Sequence, residues 1–111
     1  MQYKEMHSRA MQYYDEYVLK KAENGKEDKQ LLFNAYHIER EAALNFIKEQ
    51  NIEPTRSILL KGAINFAFQL KMFEEANELL KIALKGDPPF NQLQDLYKYK
   101  VAIEKNLKNK S

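Results

Sequence analysis

The sequence predicts an all-α fold, and three observations carry that expectation. Apolar residues recur at three-and-four spacing through long stretches rich in Leu, Ala, Glu, Lys and Gln, which favour helix. The three glycines and three prolines are few and read as punctuation between the periodic segments. Alanines then repeat in phase: Ala35 and Ala42 recur 41 residues later as Ala76 and Ala83, as they would in two matching helical hairpins. A chain of 111 residues is one domain by length, with room for one modest core.

The first helix is read from about Gln2 to Glu23, where Tyr3, Met6, Ala10, Tyr13, Tyr14 and Tyr17 share the helical period. Asn24-Gly25-Lys26-Glu27-Asp28 breaks it. Gly25 can take the left-handed conformation that closes a helix, and Asp28 can cap the next one. A second helix follows to about Gln50, its stripe read as Leu31, Ala35, Ile38, Ala42 and Phe46, with Glu39, Arg40, Lys48 and Glu49 off the stripe. These two helices make a hairpin over about residues 2–50.

Pro54 suits the first turn of a helix, so a third begins at about Asn51-Ile52-Glu53-Pro54-Thr55. From Arg56 to Leu70 its apolar positions, Ile58 and Phe68 among them, run almost all the way round, which predicts a central helix covered on several sides. The fourth carries Phe73, Ala76, Leu80, Ala83 and Leu84 on one face and stops at Gly86-Asp87-Pro88-Pro89, closing a second hairpin over about residues 54–86. A fifth, over about 90–108, takes Asp87 or Asn91 as its cap and runs through Leu93, Leu96, Tyr97, Val101 and Ile103. Its polar tail, Lys105 to Ser111, is expected to fray, and the helix to cap the array.

Composition excludes several kinds of function. Hydrophobic residues at 44% and charged residues at 31% are too apolar for disorder and too interrupted by charge for a membrane span. With no cysteine there is no disulfide, thiolate nucleophile or Cys-ligated metal. The charged N-terminal stretch lacks the apolar core of a secretory signal, so a cytoplasmic protein is expected. A net charge of +2 is far from the field that a non-specific nucleic-acid binder uses, so neither nucleic acid nor membrane is expected as a partner.

Residues from about Leu60 to Pro89, roughly a quarter of the chain, resemble one tetratricopeptide unit. Leu60 stands at its first large apolar position, Phe73 at the aromatic that starts its second helix, and Ala76, Leu80, Ala83 and Pro88 follow in register. Ile64 stands where that family has glycine and Ala67 where it has tyrosine, so the interhelix packing must differ in detail. The 41-residue offset of the alanines also exceeds the family's repeat of about 34 residues. The run from Ile38 to Pro89 resembles small bacterial helical-repeat proteins as well, a likeness that brings no activity. The tetratricopeptide resemblance implies two antiparallel hairpins plus a C-terminal capping helix in a right-handed superhelix, its odd-numbered helices lining a concave side. It implies a non-catalytic protein-protein interaction module that holds a peptide or protein segment in a groove.

Three residues are candidate peptide contacts: Lys61, Asn65 and Tyr17. Lys61 and Asn65 lie one turn apart at the two positions that grip a partner's terminal carboxylate in peptide-clamping members of that family, a point charge beside a directional donor. The plainer reading makes both the solvated edge of a buried helix. Tyr17, with Tyr13 and Tyr14, offers a rigid apolar body and a water-tolerant hydroxyl; alternatively these tyrosines pack the first helix on the second.

No cofactor or metal is expected. His37 and Glu41 form an i, i+4 pair, and the other histidine, His7, stands alone on the first helix. Neither Arg9, Arg40 nor Arg56 has the histidine four to six residues on that marks small helical RNases, and Ser8, Ser57 and Ser111 lack a nucleophile's context, so an enzyme is not expected. The alternative to a peptide groove is a homo-oligomer joined through the first or the fifth helix.

Overall fold

A computed structural model describes residues 2–109, and among these every regular element is a helix. The five are α1 (Tyr3–Asn24), α2 (Lys29–Glu49), α3 (Thr55–Gln69), α4 (Phe73–Leu84) and α5 (Phe90–Asn109). Local chemistry sets the boundaries. Gly25 closes α1 at φ 71° with its N–H on the Lys21 carbonyl, and the Asp28 carboxylate opens α2 by accepting the Gln30 N–H at 3.2 Å. Glu53 performs the same service for α3, accepting the backbone N–H and the hydroxyl of Ser57 at 3.0 and 2.9 Å.

Each helix packs on the next in chain order, and α3 packs on α5 as well, whereas α1 and α5 make no broad contact. The expectation of a central third helix holds, since α3 touches α2, α4 and α5 and buries Leu59, Leu60, Ala63, Ile64, Phe66 and Ala67. Side chains of α1 reach it too, with the Tyr14 ring 5.0 Å from that of Phe66. The repeated alanines serve close approach: Ala35, Ala42, Ala76 and Ala83 are all fully buried. No helix among the described residues is long and apolar enough to cross a membrane.

The structure corrects the expected faces in several places. On α2 the buried stripe is Leu32, Ala35, Tyr36, Glu39, Ala42, Ala43 and Phe46, so Leu31 and Ile38 are only half-buried and Glu39, expected off the stripe, is inside. The reason is register: residues 32, 35, 39, 42 and 46 follow the three-four period, and position 39 falls on it whatever its polarity. On α3, Ile58 is exposed while Arg56 and Ser57 are buried, because the polar pair ties the helix start to its neighbours. On α4, Leu79 is buried while Phe73 and Leu84 are half-buried.

Glycine is not only punctuation, since Gly62 lies inside α3. At α5, Asn91 is already helical and caps nothing, and Lys105 to Asn109 are helical rather than frayed; Lys110 and Ser111 lie outside the described residues. Only Leu96 and Ile103 of α5 are buried, with Tyr97 51% and Val101 68% exposed, because no further helix among the described residues lies over that flank.

Candidate functional site

The groove between α3 and α5 brings two of the three candidate residues together. The Lys61 ammonium sits 2.8 Å from the Asp95 carboxylate, and one turn along α3 the Asn65 side-chain oxygen accepts the Tyr99 hydroxyl at 2.8 Å. Both contacts join α3 to α5, and Lys61, Asp95 and Tyr99, though not Asn65, line a cavity of about 440 Å³ together with Phe68, Lys98 and Ala102. Two of its lining side chains are aromatic, Phe68 and Tyr99, which meet edge-on at 5.8 Å, and Phe68 packs in turn on Phe73 at 5.4 Å. The hydrogen bond and charge of Lys61 hold the Asp95 carboxyl below its usual range, and burial pushes the Tyr99 phenol up. The lining is mostly apolar, with Lys61, Lys98 and Asp95 as its charged members.

Tyr17 lies elsewhere. It is buried in the core, and its hydroxyl donates to Glu27 of the α1–α2 turn at 2.8 Å. Burial pushes its phenol up to about 12, helped by the hydrogen bond and negative charge of Glu27. The packing reading of the tyrosines therefore describes its surroundings, and it does not line the α3–α5 groove. Tyr13 and Tyr14 are half-buried, the latter stacked on Tyr17 at 6.1 Å.

The chain matches no protein-family model, no curated protein and no solved structure.

A second polar constellation was not expected from the sequence. Glu39 of α2 is fully buried, and its carboxylate oxygens lie 2.7 and 3.0 Å from Nδ1 of His7 on α1. His37, four residues before Glu41 on α2, is exposed and stacks on Phe33. Desolvation raises the Glu39 carboxyl to about 7, and the charge and hydrogen bond of His7 moderate that rise. Gly62 makes the room: a Cβ built there would lie 2.6 Å from Glu39 Oε2. The signals that locate this site are a glutamate on the apolar period of α2 and a glycine inside α3. Among the described residues no cluster of three or more His, Cys, Asp or Glu could hold a metal ion.

Proposed function

We propose that the chain is a non-catalytic protein-interaction module, its helices stacked in a tetratricopeptide-like right-handed array, and that it holds a peptide or protein segment along the α3–α5 groove. One observation carries the reading. The 440 Å³ groove is lined by aromatic and charged residues, and it includes Lys61, the residue that the family resemblance marks for gripping a carboxylate. Packing in chain order, with α3 also against α5, supports a stacked arrangement, because a closed bundle would bring α1 against α5. The cytoplasm is the compartment that fits a cysteine-free chain of this composition.

In this reading Asp95 and Tyr99 occupy Lys61 and Asn65 until a partner's carboxylate and backbone replace them. The test is affinity capture with the wild-type chain and with Lys61→Ala combined with Asn65→Ala. The variant should keep its helical circular dichroism and lose at least tenfold in affinity for the captured partner, about 1.4 kcal/mol. Equal capture by both rejects the groove.

One observation favours a second reading, a homo-oligomer. Phe90, Tyr97 and Val101 are exposed at spacings that place them along a single flank of α5. Sedimentation equilibrium of the wild type and of Val101→Lys decides it. A dimer that the charge disperses supports pairing through α5, and a monomer at every concentration excludes it.

A further inference from the structure

Six exposed residues of α5 lie in one stripe: Phe90, Gln94, Tyr97, Val101, Glu104 and Lys108. Their steps along the chain are four, three, four, three and four, the spacing of a coiled-coil seam, so they hold one side of the helix along its length. No other described helix lies over that side, because α5 packs on α3 and α4 and turns Leu96 and Ile103 toward the core.

The stripe reads the same from either end. About a midpoint level with Tyr99, Phe90 stands as far out on one side as Lys108 on the other, and Gln94 matches Glu104 as Tyr97 matches Val101. A surface of that symmetry is self-complementary under a two-fold axis. Antiparallel pairing joins unlike residues. Tyr97 then packs on Val101 of the second copy in two central layers, with Tyr97 51% and Val101 68% exposed in the single chain. In the next layers the Gln94 amide N–H donates to the Glu104 carboxylate, and at both ends the Lys108 ammonium meets the Phe90 ring. Parallel pairing would instead set Glu104 on Glu104 and Lys108 on Lys108, so charge selects the antiparallel orientation. Lys98 approaches its own counterpart, but at the solvated rim, where salt screens the repulsion.

We propose, building on the homo-oligomer reading, that α5 pairs antiparallel with α5 of a second copy about a two-fold axis level with Tyr99. Six side chains of about 100 Å² from each copy bury about 1,200 Å² in all, the lower end of stable interfaces, which suits a reversible dimer with Kd in the micromolar range. The pairing also has a consequence for the α3–α5 groove. Asp95, Lys98 and Ala102, which line it, fall on one side of the stripe. A two-fold axis perpendicular to both helices carries that side onto itself, so the two grooves open on the same face of the dimer, and a partner with two binding segments gains from both.

The native chain has no cysteine, so introduced thiols report on the pairing alone. In the antiparallel register Phe90 lies beside Lys108 of the second copy, whereas the two Phe90 positions are about 27 Å apart along the helix axis. A short bismaleimide should therefore join a mixture of Phe90→Cys and Lys108→Cys chains at least tenfold more than either chain alone. In sedimentation equilibrium the wild type should dimerise and Val101→Glu should weaken the dimer at least tenfold. Adding Tyr97→Lys to Val101→Glu should restore it, because the introduced lysine of one copy then meets the introduced glutamate of the other. These positions are exposed, so helical circular dichroism should not change. Cross-linking of Phe90→Cys to itself, or no recovery in the double variant, overturns the antiparallel register, while a dimer that Val101→Glu disperses still upholds the homo-oligomer reading. A wild type that is monomeric at every concentration, or a dimer untouched by Val101→Glu, overturns both.

Discussion

Gly62 and Glu39 form a matched pair, and substitution of either reports on the other. In an ordinary helix interior, glycine to alanine stabilises by about 1 kcal/mol. Here the new Cβ would meet Glu39 Oε2 at 2.6 Å, and the carboxylate is confined by its bond to His7. Gly62→Ala is therefore expected to destabilise by about 1–3 kcal/mol in urea denaturation. Glu39 itself makes stability depend on pH. Its carboxyl is raised in the folded chain to about 7 from an ordinary 4.5, so the folded state holds the proton more tightly. The associated stability is complete below the ordinary carboxylate range and is lost as pH rises through about 7. By about pH 8 the loss should approach 3 kcal/mol, because each tenfold gain in proton affinity on folding is worth about 1.4 kcal/mol, and Glu39→Gln should flatten the profile. None of this follows from the composition of α2 alone. The period places a side chain at position 39 inside, but that a histidine 32 residues away meets it is a fact of tertiary packing.

Elements were far more legible than their contacts. Gly25, Asp28, Pro54 and the Gly86-Asp87-Pro88-Pro89 stop mark the helix ends closely, because caps and breakers act within a few residues of themselves. Arg56 shows where that legibility ends. Standing at the start of α3, it is buried and sends its guanidinium to the last turn of α4, donating to the carbonyls of Ile82 at 2.7 Å and Ala83 at 3.3 Å and to Asn51 Oδ1 at 2.7 Å. A cation at the carbonyl end of a helix satisfies acceptors that have no partner within the helix and complements the helix dipole. Arg56→Met should cost about 2–4 kcal/mol in thermal or urea unfolding. Arg56→Lys should recover little of that, since one ammonium cannot span three acceptors in the plane of a guanidinium. At the sequence level Arg56 reads as a polar residue two positions after Pro54, with nothing to place it against α4.

At the scale of the whole molecule, the central place of α3 was anticipated and the thin burial of α5 was not. The sequence assigns a stripe to α5 as it does to α4, yet α5 buries only Leu96 and Ile103 while α3 buries eight residues. A period reveals which residues share a face and is silent on whether a neighbour covers it. The same blindness applies to the candidate site: Lys61 and Asn65 could be placed on one face of a helix, but Asp95 and Tyr99 opposite them could not. Native-state hydrogen exchange should rank the helices by this coverage, with amides in α3 and the middle of α2 exchanging slowest. Those of α5 should exchange at least tenfold faster, about 1.4 kcal/mol less protected; equal protection in α5 and α3 would contradict the unequal burial. Packing that runs from each helix to the next also decides how the chain bears tension. Pulled from its two ends, a row whose first and last members make no broad contact takes the load through its successive junctions, with α5 held by both α3 and α4. It should come apart in steps at low force, where a molecule whose first and last elements clasp one another would resist and then give way in a single rupture.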